Sequence, residues 1–290
     1  MKLSDLHADT LYRIQTEKLC VNAPELSITP QKADYLDKYS QLMAVWIPDK
    51  IRGNDAFEFF KSCAEIYKEK YLPLNNDDRN FMLSVENGSV IGGDIGKISA
   101  LKDYGVKAVT IVYNEDNELG SGCLSDSRFG LTETGKTAVK EFERNNIYVD
   151  LSHSSVRTFY DVAEASNRPI IATHSNSYTL CPHKRNLTDE QFDIIRKSGG
   201  IVGVNFYPPF LCQNPVDATI TDVLRHIYHF LSIGGEDCLC IGSDFDGCDA
   251  LASLDSIDKM PFLYEIMLKN GFNEQVIQKI FYNNAHNFFT

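Results

Sequence analysis

The sequence has no excess of basic residues, no long apolar run and no paired-cysteine motif, and each absence excludes a class of protein. The formal net charge is −12 over 290 residues. Such a chain is a poor partner for nucleic acid or acidic membranes, because both require clustered Lys and Arg. The stretches GIVGVNF and CLCIG are far shorter than the roughly 20 apolar residues that span a bilayer. The start, MKLSDLHADT, has no basic region followed by an apolar one, so no secretory signal is predicted.

The eight cysteines show no CxxC pair and no framework spacing. We therefore expect reduced thiols in a cytoplasmic protein. The apolar fraction of 43% and the charged fraction of 23% are ordinary for a soluble globular chain, which argues against disorder or a fibrous repeat. The length is near the upper limit for one hydrophobic core, and no compositional break marks a linker. Residues 1–290 are therefore predicted to form a single domain.

Short apolar runs alternate with longer amphipathic segments, which is the pattern of an α/β protein with a parallel sheet. Most of the apolar runs lack a polar alternate, as expected when both faces of a strand are covered. Eight strands are predicted, at Leu3–Asp9, Gln41–Ile47, Asn80–Glu86, Val106–Tyr113, Ile147–His153, Pro169–His174, Gly200–Phe206 and Cys238–Asp244. Eight strands with intervening helices favour a (β/α)8 TIM-type barrel over an open sheet, because typical barrels need about 250 residues.

Helical periodicity fills several of the gaps between these strands. The segments Ala56–Tyr71 and Thr137–Asn145 carry apolar residues at helical spacing. Thr188 and Gln191 form a capping-box pattern that opens a helix over Asp189–Lys197. The end of the chain, Asn273–Phe289, is predicted as one more helix.

Histidine and carboxylate side chains recur at the ends of the predicted strands. Active sites of such barrels lie at the carboxyl ends of the strands, where loops from different strands meet. The strand-end residues are His7 and Asp9 (strand one), Glu86 (three), His153 (five), His174 (six) and Asp244 (eight). Imidazoles and carboxylates aimed at one point are ligands for divalent zinc, so the constellation predicts a metal site.

Each part of this constellation has a simpler explanation when it is taken alone. An isolated histidine near a strand end is more often a hydrogen-bonded structural residue, and a carboxylate such as Glu86 commonly caps the following helix. The combination is harder to explain by packing, because buried charge is costly unless it is paired or metal-bound. The remaining pair His226 and His229 is at helical spacing and is assigned to a solvated helix face.

Five motifs occur in the order found in the renal or membrane dipeptidase family of zinc peptidases. They are HAD near the start, SVENG, VDLSHSS, ATHSNSY followed by KRNLTD, and IGSDFDG. The sequence resembles this family from about Asp5 to Phe288, which is nearly the full chain. The HxD motif alone would also suit other amidohydrolase-type barrels, whereas the whole set is specific.

The resemblance implies a centre of two zinc ions. By motif, His7 and Asp9 would bind one ion, His153 and His174 the other, and Glu86 would bridge both. A hydroxide held between the ions would then attack the peptide bond of a dipeptide. The resemblance also implies that Glu86 belongs to the catalytic machinery and that a homodimer is a candidate assembly.

Three further residues receive roles from the same resemblance. Arg185, the arginine of KRN, would hold the terminal carboxylate of the dipeptide, which suits the two-pronged geometry of guanidinium. Asp244, the first aspartate of SDFDG, would relay a proton to the leaving amine and lie beside the substrate's amino end, while Asp246 would organise the loop. Tyr113 stands where the mammalian enzymes carry a histidine that stabilises the oxyanion, and a phenol can still donate one hydrogen bond.

The sequence therefore predicts a zinc-dependent dipeptidase with no nucleic-acid or membrane partner. One alternative is another binuclear-metal amidohydrolase that acts on cyclic amides or lactones. A second is a non-catalytic homologue that keeps the barrel and the metals. A serine or cysteine mechanism is a poor rival, because the chain has no GxSxG nucleophile elbow. The motifs leave side-chain preference and the identity of the native metal open, since manganese or cobalt could bind the same ligands.

Overall fold

The computed structural model describes residues 1–127 and 129–290. Within these residues, seven strands form one parallel sheet with the spatial order β5-β4-β3-β2-β1-β7-β6. The strands are β1 (Lys2–Ala8), β2 (Lys38–Trp46), β3 (Arg79–Glu86), β4 (Val106–Thr110), β5 (Tyr148–Asp150), β6 (Val202–Val204) and β7 (Leu239–Ile241). The sheet curls, and the α/β architecture is consistent with a TIM-like barrel.

The predicted sixth strand, Pro169–His174, is not a full strand. Only Ile171 and Ala172 pair with neighbours: Ile171 bridges to Asp150 in β5, and Ala172 bridges to Val202 in β6. The regular ladder of backbone hydrogen bonds stops there, because side-chain oxygens accept from the next two amides instead. The amide of Thr173 donates to Asp150 Oδ1 at 3.0 Å, and the amide of His174 donates to Ser152 Oγ at 3.2 Å. This bridging segment, Pro169–His174, joins the two edge strands β5 and β6.

Helices lie between the strands throughout the described chain. The α-helices are α1 (Thr10–Glu17), α2 (Gly53–Ile66), α3 (Lys97–Asp103), α4 (Glu133–Arg144), α5 (Val156–Ala165), α6 (Asp189–Lys197), α7 (Pro208–Leu211), α8 (Ile220–Ser232), α9 (Met260–Lys269), α10 (Glu274–Gln278) and α11 (Asn284–Phe289). Single π-turns, Tyr67–Tyr71 and Lys279–Asn283, extend α2 and join α10 to α11. No helix in residues 1–127 and 129–290 is long and apolar enough to cross a membrane.

The helix predictions are confirmed, with differences at their ends. The capping box before α6 is present in both directions, between the side chains and backbone amides of Thr188 and Gln191. Helix α4 starts four residues before the predicted boundary, because the Thr132 side chain accepts a hydrogen bond from the amide of Gly135 and caps it there. The sequence did not reveal this start, since its first turn carries few apolar residues.

Apolar side chains fill the interior of the curled sheet. A compact cluster takes residues from most of the strand positions: Leu6, Leu42, Met82, Ala108, Ile171, Ile201 and Cys240. Ala285 of α11 belongs to the same cluster, and Phe288 and Phe289 pack against it. The interior is therefore a packed core, as in barrels whose side chains fill the centre, and the polar strand-end residues lie outside it.

The prediction that His226 lies on a solvated face is wrong. Its side chain in α8 is fully buried, and Nδ1 accepts a hydrogen bond from the amide of Ser177 at 3.0 Å. Nε2 then donates to the carbonyl oxygen of Leu211 at 2.9 Å. A polar residue is tolerated at this core position because both of its nitrogens have partners. His229 is only half-buried and contacts Asp189.

Candidate metal centre

The strand ends bring the six predicted site residues into one buried cluster. Two belong to strands, His7 near the end of β1 and Glu86 as the last residue of β3. The others follow a strand or the bridging segment, and all six side chains are buried: His7, Asp9, Glu86, His153, His174 and Asp244. Sequence separations of up to 237 residues thus conceal one site, as the barrel prediction required.

Glu86 lies between the three imidazoles. Its Oε1 atom is 2.8 Å from His153 Nε2 and 3.4 Å from His174 Nε2. Its Oε2 atom is 3.7 Å from His7 Nε2. The two carboxylate oxygens therefore face different histidines, which is the arrangement that a bridging ligand needs.

His7 also faces the second and third carboxylates of the cluster. Its Nε2 atom is 3.4 Å from Asp9 Oδ2 and 3.9 Å from Asp244 Oδ1. The other oxygen of Asp244, Oδ2, accepts a hydrogen bond from Asn205 Nδ2 at 2.9 Å. Asn205 therefore leaves Oδ1 as the free oxygen of Asp244, and that oxygen faces the cluster.

The donor atoms fit a divalent metal ion. In the described chain, His7 Nε2 and Asp9 Oδ1 are buried and have no hydrogen-bond partner, which is costly for a polar atom unless something else satisfies it. Two overlapping sets offer atoms within 4.8 Å of one another: His7 with Glu86 and His174, and His7 with Asp9 and Asp244. Nitrogen and carboxylate donors are the ligands that zinc prefers outside thiolate sites. How the ligands divide between two ions stays a prediction.

The electrostatics of the cluster also favour a cation. Burial, together with the charge of Asp9, raises the pKa of Glu86 to about 8, and burial raises the pKa of Asp244 to about 6. Burial opposes protonation of His7, but the charges of Glu86 and Asp9 hold its pKa well above the usual value. Burial lowers the pKa values of His153 and His174 well below theirs, so both are neutral. Neutral imidazoles beside destabilised carboxylates form a site that a metal ion would stabilise.

Two of these side chains are held by backbone in the left-handed region. His153 has φ 68° and Asp244 has φ 63°, which are uncommon values for residues other than glycine. Each residue follows a very short strand, and the unusual φ turns its side chain back over the strand end. Such local strain concentrates at functional sites.

A cleft of about 990 Å³ opens above the cluster and contains the remaining predicted residues. Arg185 is 5% exposed, and its Nη2 donates to the carbonyl oxygen of His174 at 3.3 Å. Its guanidinium lies 5.2 Å from the centre of the Phe210 ring. The ring of Tyr113 packs on His153 with centroids 4.3 Å apart, so the phenol forms part of the wall beside a predicted ligand.

Asp246 organises the loop after β7, as expected. Its carboxylate accepts hydrogen bonds from Thr10 Oγ1 at 2.6 Å, from Arg13 Nη1 at 3.1 Å and from the amide of Ser27 at 2.8 Å. These contacts tie the loop that carries Asp244 to α1 and to the segment after it. Asp246 therefore has no free oxygen to offer a metal or a substrate.

Sequence reasoning missed the residues that hold the ligands. Asn114 Oδ1 lies 2.9 Å from His153 Nδ1, and Thr173 Oγ1 lies 2.8 Å from His174 Nδ1. A usable signal existed only for Thr173, which directly precedes a predicted ligand. Asn114 comes from a loop after another strand, and its partner cannot be read from one sequence.

Comparisons with known proteins agree with this geometry. Residues 5–289 match the family model described as "Membrane dipeptidase (Peptidase family M19)". A protein of Klebsiella pneumoniae, described as an uncharacterized protein in the pqqA 5′ region, is 34% identical over 209 residues, which are 69% of this chain and 77% of that relative. Dipeptidase tcpJ of Claviceps purpurea is 28% identical over 257 residues, which are 87% of this chain but 57% of that relative.

A solved structure shows the same fold. It is a metallo peptidase from Rhodobacter sphaeroides liganded with a phosphinate mimic of the dipeptide L-Ala-D-Ala. The TM-score is 0.92 at 23% sequence identity, and the match covers 100% of this chain and 98% of that one.

Proposed function

Since the chain belongs to the membrane dipeptidase family, peptidase family M19, and is a metal-dependent dipeptidase, we propose that it hydrolyses dipeptides with two zinc ions. The observation that carries the proposal is Glu86, whose two oxygens face different buried histidines at the base of the cleft. In this proposal Glu86 would bridge the two ions, His7 and Asp9 would hold one, and His153 and His174 would hold the other.

The zinc ions would supply the chemical reactivity, and the protein would position the substrate and the group that transfers the proton. When bound, zinc would act as a Lewis acid toward the peptide carbonyl and would acidify the attacking water. The six side chains of the cluster are buried, so electrostatic interactions among them are strong.

We propose that Asp244 moves the proton. Its Oδ1 faces the cluster, while Asn205 fixes the other oxygen and so fixes the orientation of the carboxylate. In the proposed reaction Oδ1 accepts the proton that the attacking water loses and donates it to the leaving amine nitrogen.

In the same proposal, Arg185 binds the free carboxylate at the far end of a dipeptide. Its guanidinium lines the cleft, and one backbone carbonyl and the Phe210 ring hold it in place. Its Nε is buried without a hydrogen-bond partner in the described part of the chain. Tyr113 occupies the wall next to His153, and we propose that its hydroxyl donates to the carbonyl oxygen of the substrate in place of the histidine found in mammalian relatives.

The proposal is tested with the purified protein, reloaded with zinc, and a panel of dipeptides. The panel includes L-Ala-D-Ala, because the structural relative from Rhodobacter sphaeroides binds a mimic of that dipeptide. Cyclic amides and lactones are assayed alongside. Hydrolysis of cyclic substrates alone would favour the alternative amidohydrolase, and zinc binding without any turnover would favour a non-catalytic homologue.

Replacing Arg185 with alanine should weaken dipeptide binding while the zinc content stays the same. Loss of a charge-assisted bond to the carboxylate should raise KM about 10- to 100-fold, with a smaller change in kcat. Steady-state kinetics and metal analysis check both parts. Arg144→Ala, at an exposed arginine of α4, is the matched control and should behave like the wild type. If the wild type hydrolyses dipeptides with a blocked carboxyl end equally well, the role of Arg185 is wrong.

A further inference from the structure

We propose that Thr173 is a positioning residue whose single hydroxyl sets the tautomer of two metal-binding histidines, His7 and His174. This inference rests on the proposed metal centre. It concerns which nitrogen of each ring carries the proton and which is left to bind the metal. A neutral imidazole carries one proton, and a ring with its proton on the inward nitrogen cannot ligate.

Asp150, the last residue of β5, is buried and fully hydrogen-bonded. Its Oδ1 accepts from the amides of Ser152 and Thr173, both at 3.0 Å. Its Oδ2 accepts from Thr110 Oγ1 at 2.8 Å and from Thr173 Oγ1 at 2.6 Å. Four donors occupy the four lone-pair positions of the carboxylate, so both oxygens of Asp150 act as acceptors.

The bond to Asp150 Oδ2 fixes the hydrogen of the Thr173 hydroxyl. The 2.6 Å contact with Asp150 has the length of a charge-assisted O–H···O⁻ bond, and turning the hydrogen away would place oxygen lone pairs against each other. Because a hydroxyl has only one hydrogen, Thr173 Oγ1 can act only as an acceptor toward its other neighbours.

Those neighbours are the Ser152 hydroxyl, at 3.5 Å, and the outer nitrogens of two predicted ligands, which are closer. His174 Nδ1 lies 2.8 Å from Thr173 Oγ1, and His7 Nδ1 lies 3.4 Å from it. Both Nδ1 atoms therefore carry the proton and donate it to the hydroxyl, the His174 bond being the stronger. The centroids of the two rings are 3.8 Å apart, so one oxygen can accept from the Nδ1 atoms of both rings.

The consequence appears on the inner side of the rings. With the protons on Nδ1, Nε2 is the nitrogen that His174 and His7 each keep for a metal ion, and these atoms lie 3.4 Å from Oε1 and 3.7 Å from Oε2 of Glu86. Asn114 gives His153 a separate acceptor, so the third histidine does not depend on Thr173. One hydroxyl on one carboxylate thus prepares a ligand on each side of the proposed bridge.

The test compares zinc affinity in three variants by competition with a chromophoric chelator. Thr173→Val keeps the shape of the side chain and removes the hydroxyl, and it should weaken zinc binding about 10- to 100-fold, as outer-shell substitutions typically do. Thr173→Ser restores a hydroxyl and should bind zinc within about threefold of the wild type. Thr110→Val removes the other hydroxyl donor to Asp150 without touching a histidine, and it should keep wild-type zinc affinity.

A second measurement uses the zinc-loaded wild type and does not depend on any variant folding. Nitrogen-15 NMR of labelled histidines should show protonated Nδ1 and metal-bound Nε2 for both His7 and His174. Zinc bound through Nδ1 of either ring would overturn the proposal, as would Thr173→Val with unchanged zinc affinity, or Thr110→Val with the same loss. A wild type that binds no zinc would instead contradict the proposed function.

Discussion

Replacing Glu86 with alanine is expected to release most of the bound zinc and to lower dipeptide hydrolysis by about a thousandfold or more. The reason is that the substitution takes a ligand from both ions at once, since each oxygen of Glu86 faces a different set of imidazoles. Metal analysis after gel filtration and a dipeptide assay at saturating substrate measure the two effects.

The control for this variant is Glu69→Ala, which removes an exposed carboxylate in the π-turn after α2. It should retain zinc and activity. Thermal unfolding in chelator should show Glu86→Ala still folded, because the metal-free wild type already carries a buried, destabilised carboxylate at this position. Two equivalents of zinc retained by a folded Glu86→Ala protein would refute the bridging role.

Replacing Asp244 with asparagine is expected to lower kcat about 100- to 10,000-fold while zinc stays bound. The amide keeps the size of the side chain but cannot carry the proton from the attacking water to the leaving amine. Asp249→Asn, at an exposed residue on the rim of the same cleft, is the matched control and should change kcat little.

The pH profile separates proton transfer from structural damage in the Asp244 variant. If Asp244 moves the proton, the wild-type kcat profile should contain an ionisation that disappears in Asp244→Asn. A reduced kcat with an unchanged pH profile would mean that Asp244 acts through structure or through metal binding instead. Loss of zinc from the variant would place Asp244 among the ligands. This outcome is checked because the side chains of His7, Asp9 and Asp244 are close enough together to hold a metal ion.

The sequence was a good guide to the strand ends because a physical rule connects them. In a parallel α/β sheet the carboxyl ends of all strands meet, so His7, Glu86 and Asp244 could be placed together without knowing any contact. The spacing of His7 and Asp9 also indicated one common target, and the structure brings His7 Nε2 within 3.4 Å of Asp9 Oδ2.

Features that depend on side chains from several loops could not be predicted in this way. The sixth strand looked complete because Pro169–His174 is apolar, yet Asp150 and Ser152 capture its amides and end the ladder early. Side-chain oxygens that take the place of backbone carbonyls also hold the segment that carries His174. Periodicity measures only burial along one segment, so it carries no information about such partners.

Burial of polar residues was the other weak point. Helical spacing predicts a solvated face for His226, and Arg185 taken alone is predicted to be a solvated charge in a loop. Both side chains are buried. Each side chain donates to one backbone carbonyl, that of Leu211 for His226 and that of His174 for Arg185. Only the resemblance to a family singled out Arg185, whereas nothing in the sequence singled out His226.

The most direct test of the account is the crystal structure of the zinc-loaded protein with anomalous diffraction collected at the zinc edge. The account predicts two zinc peaks, one on each side of Glu86, with His7 and Asp9 at one and His153 and His174 at the other. A single peak, or two peaks that do not share Glu86, would contradict the bridged centre on which the proposed dipeptide hydrolysis depends.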